Sequence, residues 1–215
     1  MRTLLLGTML ATTGTALADC STYVGAIIGS NHLKGRWTSD EGLDQKKTAI
    51  TKQNSLAVGG LFGVMKAHGN FVYGAELDIG TGTSEKNVEV QNNGSNRRIF
   101  KTTMSFLSHA RLILGRKIGK FTPFVGVGLS GARFNHDLSE PDDGTPDTEE
   151  LTNKNSFNVG ANISAGVIYD VDEKWSVRLE GGQDMIGSMC VPGFGDNYEM
   201  TPTVNFFRLG VTIKL

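Results

Sequence analysis

The sequence lacks a long apolar run and an excess of either charge. After residue 18 no stretch approaches the roughly 18 consecutive apolar residues of a membrane-spanning helix, which excludes a helical anchor. Lys and Arg number 21 against 22 Asp and Glu, and without a basic excess a nucleic-acid partner is not expected. Hydrophobic residues make up only 39% of the chain. That share fits a β-barrel, in which only alternate strand residues need be apolar.

The first residues have the features of a secretory signal. Arg2 supplies a basic start, an apolar run follows, and Ala16-Leu17-Ala18 fits an A-x-A cleavage pattern. We therefore expect a cleaved signal peptide at residues 1–18 and one mature domain at residues 19–215.

The C-terminal segment alternates apolar and polar residues. Its odd positions from Phe207 to Leu215 are all apolar, whereas the even positions between them are polar or glycine. A period of two is typical of a strand with two unlike faces. The same pattern predicts eight strands, at Ser21 to Leu33, Ser55 to Lys66, Asn70 to Thr83, Phe100 to Gly115, Phe121 to Phe134, Phe157 to Tyr169, Trp175 to Glu180 and Phe207 to Leu215.

Short and long connections alternate along the chain, which places every long connection at one end of a barrel, as in outer-membrane proteins. We predict an all-β fold, an eight-stranded antiparallel up-and-down transmembrane β-barrel with its long loops outside. The short connections are His68-Gly69, Arg116 to Lys120 and Val171 to Glu173. The long connections are Lys34 to Asn54, Ser84 to Arg97, Asn135 to Asn155 and Gly187 to Met200.

A soluble barrel with its apolar face inwards is the alternative to a membrane barrel. Its polar face would meet water and carry mainly Lys and Glu, whereas the polar face here is rich in Gly, Ser and Asn. Small residues suit a crowded lumen. Aromatic residues beside the short turns fit a girdle at a membrane interface. The predicted interfacial aromatics are Phe71, Tyr73, Phe121, Tyr169 and Trp175.

Two segments and the final strand carry a family resemblance. Residues 71–77 read FVYGAEL, residues 121–128 read FTPFVGVG, and an amphipathic strand ends the chain. The sequence resembles the small outer-membrane barrels of Gram-negative bacteria, a porin-like group that includes the OmpA barrel domain, OmpX and the opacity-type surface proteins. The resemblance covers the mature chain. It implies adhesion, envelope stability, immune contact or narrow conductance, and insertion by the barrel-assembly machinery. Such barrels usually end in an aromatic residue, whereas this chain ends in Leu215.

Charged residues fall on the predicted lumen face of several strands. The interior of an eight-stranded barrel is just wide enough to be filled by side chains, and a charge stranded there is costly unless it finds a partner. We therefore predict a salt-bridged plug, with a gate of a narrow pore as the alternative to a static network. The predicted lumen charge network is Glu76, Asp78, Arg111, Arg178, Glu180 and Arg208.

No catalytic, cofactor-binding or metal-binding residue is predicted. Ser108 and His109 are adjacent on one strand, so their side chains point to opposite faces and do not form a catalytic pair. Gly126 to Gly131 matches G-x-G-x-x-G, but no helix follows to hold a pyrophosphate. The acidic connection at residues 135–155 allows divalent-cation binding, whereas a solvated loop is the default.

The two cysteines are predicted to remain unpaired. Cys20 and Cys190 fall on opposite sides of a membrane band about 25 Å tall, and a disulfide tolerates a Cα separation of at most about 7 Å. Cys20 also raises the alternative of a lipoprotein. Asp19 argues against it, because that pattern has a small uncharged residue before the cysteine.

The expected function is an outer-membrane structural and surface-interaction protein without catalysis. Its partners would be outer-membrane lipid, lipopolysaccharide, and host or envelope components that its loops contact. The alternatives are a narrow ion or solute channel and a lipid-modifying barrel enzyme. Basic residues of the first long connection lie near the outer rim, where they could contact lipopolysaccharide phosphates: Lys34, Arg36, Lys46, Lys47 and Lys52.

Overall fold

The structure, a computed structural model, describes residues 20–39, 48–84, 88–93, 96–141, 148–193 and 196–215. The predicted signal peptide lies outside this part of the chain. Among the described residues no helix is long and apolar enough to cross a membrane. The strands are β1 (Cys20–Ser39), β2 (Thr48–His68), β3 (Phe71–Ser84), β4 (Val88–Asn93), β5 (Asn96–Arg116), β6 (Phe121–Pro141), β7 (Thr148–Asp170), β8 (Trp175–Ile186), β9 (Met189–Gly193) and β10 (Asp196–Lys214).

The strands form one antiparallel sheet that closes on itself. The neighbours run β1-β2-β3-β5-β6-β7-β8-β10, and β10 pairs with β1 to complete the ring. The short strands β4 and β9 pair with β5 and β10 and continue the positions of β3 and β8. Eight strand positions therefore make a closed up-and-down barrel, which confirms the predicted fold class.

The register of the sheet sets the tilt of its strands. Cross-strand partners followed once around the barrel from His32 return to β1 at Thr22, ten residues nearer the N-terminus. Such a stagger requires strands that tilt by roughly 35–45° from the barrel axis. The tilt widens the barrel while its interior remains small enough for side chains to fill.

Three short turns lie at one end, which we call the short-turn end. Gly69 and Gly119 occupy two of these turns with φ of 59° and 62°, a left-handed conformation that glycine adopts without a Cβ penalty. The backbone N–H of Leu215 donates to the carbonyl of Thr22 at 2.9 Å. Both ends of the described barrel therefore lie beside the short turns, and all longer connections lie at the opposite, long-connection end.

The strands are longer than predicted. β1 continues to Ser39 instead of ending at Leu33, and β10 begins at Asp196 instead of Phe207. β4 and β9 fall within segments predicted as loops. Toward the long-connection end the outward face becomes polar, so the pattern of apolar outward and polar inward residues is lost although the strands remain paired. The sheet thus extends beyond its outward-facing apolar band.

The apolar side chains of the sheet face outwards. Leu77 and Leu112 are 58% and 66% exposed, whereas their strand neighbours Glu76 and Arg111 are 2% and 3% exposed. A soluble barrel would have the opposite arrangement, with charges in water and leucines inside. The structure therefore excludes the soluble alternative in which the apolar face turns inwards.

Apolar side chains nevertheless line both ends of the lumen, which differs from the uniformly polar interior predicted. Toward the short turns Tyr23, Ile27 and Leu61 form one small cluster, and a second contains Phe124. We call these the proximal clusters. The distal cluster, toward the long connections, consists of Leu33, Trp37, Met104, Leu107, Ala132, Phe134, Ile186, Met189, Met200 and Val204.

Candidate functional site

Side chains alternate between the two faces of each strand, and the six predicted charged residues all point into the same layer of the lumen. Glu76 lies directly opposite Arg111 on the neighbouring strand, and Glu180 lies directly opposite Arg208. All six side chains are buried. Because these residues sit at matching heights on four strands, the barrel cross-section brings them together between the proximal and distal clusters.

Arg111 lies at the centre of the layer. Its Nη2 is 2.5 Å from Glu76 Oε1 and 2.8 Å from Asp78 Oδ2. Its Nη1 contacts the carboxylate of Glu180 and donates to Ser164 Oγ at 3.3 Å. One guanidinium therefore bridges three carboxylates from two strands, which its planar fork of donors allows.

The other two arginines complete the pairing. Arg178 contacts Glu76 and donates to Glu180 Oε2 at 2.9 Å. Arg208 donates to Asp78 Oδ1 at 2.9 Å. Each of these carboxylates therefore contacts at least one guanidinium, as burial of a carboxylate requires.

The sequence analysis did not assign two members of the layer, His109 and Asp184. His109 Nδ1 is 2.7 Å from Asp78, and His109 Nε2 is 3.0 Å from Asp184. Asn162 also donates to Asp184, at 2.7 Å. His109 stands two residues before Arg111, so the same alternation could have placed it in the lumen. Asp184 lies beyond Glu180, where the predicted strand ended.

The layer contains four carboxylates, three guanidiniums and the His109 imidazole. Each ring nitrogen of His109 faces a carboxylate, and Nδ1 also lies 3.2 Å from Arg208 Nη1. We call this set the charged layer; it comprises Glu76, Asp78, His109, Arg111, Arg178, Glu180, Asp184 and Arg208.

The distal cluster covers the charged layer on the side of the long connections. Trp37, Phe134 and Met200 are almost completely buried in it. Among them His136 bonds to Thr102 at 3.3 Å and to Ser156 at 3.2 Å through its two ring nitrogens. The lumen is thus closed first by ion pairs and again by packed apolar side chains.

The predicted interfacial aromatics lie on the outward face beside the short turns. All five are exposed, and each stands within three residues of the strand end next to a short turn. The rings of Phe121 and Tyr169 contact each other with centroids 5.0 Å apart. The arrangement is a partial belt at the short-turn end, where an interfacial girdle would lie.

The structure also places the residues that were considered for chemistry. Ser108 faces away from His109, and its Oγ donates to the carbonyl of Gly131 at 3.2 Å. The residues from Gly126 to Gly131 belong to strand β6, so no helix follows the glycine pattern. Within the described ranges no three His, Cys, Asp or Glu are grouped to hold a metal, and residues 142–147 of the acidic connection lie outside those ranges.

The cysteines and the basic rim lie far from the charged layer. Cys20 is at the short-turn end and Cys190 is in β9 at the other end, and the two do not form a disulfide. Lys34 and Lys52 are directly opposite each other on β1 and β2 and face outwards. Arg36 is exposed on the same face of β1 as Lys34, and the remaining two predicted basic residues, Lys46 and Lys47, are outside the described residues.

The comparison with protein-family models finds no match to the sequence. The comparison with curated proteins finds none either. Solved structures do match. OprG of Pseudomonas aeruginosa, an outer-membrane protein, aligns over 91% of this chain and 96% of its own, with 14% identity and a TM-score of 0.56. The fold is that of an outer-membrane β-barrel.

Two further barrels align with lower scores. The outer-membrane protease OmpT of Escherichia coli shares 10% identity over 91% of this chain and 97% of its own, at a TM-score of 0.48. The attachment invasion locus protein Ail of Yersinia pestis shares 8% identity over 90% and 98%, at 0.42. At these identities the likeness concerns the fold alone, and the function of this barrel has to be argued from its own residues.

Proposed function

We propose that this chain is an outer-membrane protein with structural and surface-contact roles, exported by a cleaved signal peptide. The doubly closed lumen is the observation that carries the proposal. Ion pairs fill the middle of the barrel and the distal cluster packs above them, so the described interior offers no open path. What remains available to partners is the long-connection end, where the sheet extends beyond its apolar band.

The outward basic residues support contact with lipopolysaccharide. Along the outward face of β1 the apolar residues end at Ile28, and exposed His32, Lys34 and Arg36 follow. Lys52 lies directly opposite Lys34, so basic residues of two neighbouring strands are concentrated at this level. Phosphates at the outer headgroup level would attract them. The basic rim therefore favours an anionic glycolipid as the lateral partner.

Location and orientation can be tested together by labelling lysines in intact Gram-negative cells with a reagent that does not cross the outer membrane. We expect Lys46 and Lys47, in the first long connection, to react in intact cells. Lys117 and Lys120, in a short turn, should react only after the outer membrane is permeabilised. The opposite pattern would contradict the proposed orientation, and equal labelling would contradict insertion in the outer membrane.

A gated narrow channel is the second candidate function, because charged residues of the kind that could gate a pore lie across the lumen. The ion pairs of the charged layer would have to rearrange to open a path, and the distal cluster would have to part as well. Conductance in planar bilayers separates the two functions. We expect the wild-type barrel, Glu180→Ala and Arg208→Ala all to remain at baseline. Discrete openings of the wild-type barrel would favour the channel over the closed structural barrel.

A further inference from the structure

The distal cluster places two methionines of adjacent strands next to a histidine. Met189 and Met200 lie directly opposite each other on β9 and β10, and both are buried. Residues in this position have Cβ atoms about 4.5–5.5 Å apart. A methionine side chain has three rotatable bonds, so the two thioethers can reach a common point. His136, on β6, is completely buried.

Hydroxyl groups link this histidine to both methionines. Ser156 Oγ is 3.2 Å from His136 Nε2 and 3.2 Å from Met189 Sδ. On the other side of the ring, Thr102 Oγ1 is 3.3 Å from His136 Nδ1 and 3.9 Å from Met200 Sδ. A single hydroxyl therefore separates each ring nitrogen from a thioether. One imidazole and two thioethers meet in the same cross-section of the lumen.

The contacts of His136 favour a metal on Nε2. A neutral imidazole binds a metal through one nitrogen and keeps its proton on the other. With the proton on Nδ1, Thr102 Oγ1 accepts a hydrogen bond from it, which is the kind of contact that orients a metal-binding histidine. Nε2 then directs its lone pair toward Ser156 and Met189. The one hydroxyl hydrogen of Ser156 can serve only one of the two acceptors Nε2 and Sδ, whereas a cation serves both.

We propose that His136 Nε2 and the sulfur atoms of Met189 and Met200 bind a soft monovalent cation, Cu(I) or its analogue Ag(I). Thioethers are soft ligands that suit Cu(I), whereas carboxylates and carbonyls suit Mg²⁺ and Ca²⁺. All three ligands are neutral and lie among apolar side chains. A single positive charge is less costly to bury there than a double one.

The ion reaches the site from the side of the barrel. β8 ends at Ile186, and among the described strands β9 pairs with β10 alone. β7 and β9 therefore lie next to each other without pairing. Ser156 on β7 is half-buried at this notch and contacts Met189 across it. Entry past Ser156 leads to His136 Nε2 without any movement of the charged layer.

Titration calorimetry with silver nitrate tests the proposal on the refolded barrel in detergent micelles and chloride-free buffer. Cysteine thiolates bind the same soft ions, so a Cys20→Ser, Cys190→Ser double variant serves as the parent protein. We expect saturable binding of one Ag⁺ that an excess of Mg²⁺ does not displace. No saturable binding, or displacement by Mg²⁺, would overturn the proposal.

Substitutions by leucine locate the ion. Met189→Leu and Met200→Leu conserve side-chain volume, which apolar clusters tolerate, and each should weaken Ag⁺ binding at least about tenfold. Met185→Leu is the matched control, because Met185 is exposed on the outward face of β8. It should leave the affinity unchanged. Equal weakening by all three variants, or by none, would contradict a site in the distal cluster.

Ser156→Ala separates a metal site from a purely structural hydrogen-bond network. It removes the hydroxyl between His136 and Met189, so the hydrogen bonds are lost while the three proposed ligands remain. We expect Ag⁺ binding to be retained or tightened. Lost binding would overturn the proposed geometry, in protein that still shows the mobility shift of a folded barrel between unheated and heated samples.

Fluorescence gives a readout that needs no change to the ligands, should the methionine variants not fold. The ring centroid of Trp37 is 5.7 Å from that of His136, and Trp175→Phe leaves Trp37 as the one tryptophan of the chain. We expect its emission to change until one equivalent of Ag⁺ is added and then to stay constant. Unchanged emission would contradict binding at His136. None of these results depends on what the long connections contact, so the metal site and the proposed surface role can fail separately.

Discussion

The lumen is closed by two regions of opposite chemistry, the charged layer in its middle and the distal cluster nearer the long connections. In the charged layer each group needs an oppositely charged partner in a particular geometry, as when the Arg111 guanidinium bridges three carboxylates. In the distal cluster the side chains only have to be apolar and to fill the space. The first region should therefore be intolerant of any change in charge or shape, and the second should tolerate changes that conserve volume.

The largest expected effect comes from removing the central cation of the charged layer. Arg111→Met keeps much of the side-chain volume but leaves Glu76, Asp78 and Glu180 without their shared partner. Arg178 and Arg208 still contact these carboxylates, but the layer loses one positive charge, and breaking a buried ion-pair network in this way costs about 3–5 kcal/mol. Urea unfolding of the barrel in lipid vesicles measures this loss of stability. Lys120→Met, an exposed change at the short-turn end, is the control and should lie within about 0.5 kcal/mol of wild type.

A conservative change distinguishes the two regions further. Arg111→Lys keeps the charge, but one ammonium cannot reproduce the forked contacts to three carboxylates. We expect it to be clearly destabilising in the same unfolding measurement. Stability equal to wild type would mean that charge alone, without the fork geometry, holds the layer together.

The distal cluster should respond to lost volume instead. Leu107→Ala leaves a cavity in this cluster and should cost about 3 kcal/mol, whereas Leu107→Met conserves volume and should cost less than about 1.5 kcal/mol. Urea unfolding of both variants beside Arg111→Lys gives the contrast directly. A cost for Leu107→Met as large as that for Arg111→Lys would remove the proposed difference between the two regions.

The charged layer was largely predictable from sequence, because strand alternation fixes which face a residue occupies. Arg111 and Arg208 stand on polar faces of clearly periodic strands, and a filled lumen leaves them only the inward-facing carboxylates of other strands as partners. Asp184 could not be found in the same way, because the glycines that follow Glu180 interrupt the apolar alternation. Only the cross-strand register of the structure, and not the sequence pattern, places Asp184 in the charged layer.

The distal cluster was not predictable from the same pattern. Trp37 and Met200 fall in segments that the sequence assigned to loops, and Phe134 stands at the predicted end of its strand. Beyond the apolar band the outward face becomes polar, so an inward apolar residue no longer belongs to a recognisable pattern. Closure of the sheet brings these residues together from distant parts of the chain, which no local signal reports. The long strands and the distal cluster were therefore missed for one reason.

The smallest expected effect lies outside both regions, in the short turn between β7 and β8. Asp172 Oδ1 accepts from the backbone N–H groups of Trp175 at 2.7 Å and Lys174 at 2.8 Å. These hydrogen bonds, that from Trp175 foremost, hold the pKa of the Asp172 carboxyl below its ordinary value. Because the pKa is lower in the folded state, the carboxylate stabilises the fold above the ordinary pKa of 3.8. That contribution is lost as the pH falls through the lowered value.

Asp172→Asn isolates this contribution, because it keeps a side-chain oxygen as acceptor and removes the charge. At neutral pH the wild-type barrel should be slightly more stable than Asp172→Asn in urea unfolding, and the difference should vanish as the medium becomes strongly acidic. Comparison of the two proteins at each pH cancels the titration of all other carboxyls. A difference that persists unchanged into acid would show that the turn depends on shape alone. The stability of the turn would then depend on shape, as in the distal cluster, and not on charge, as in the charged layer.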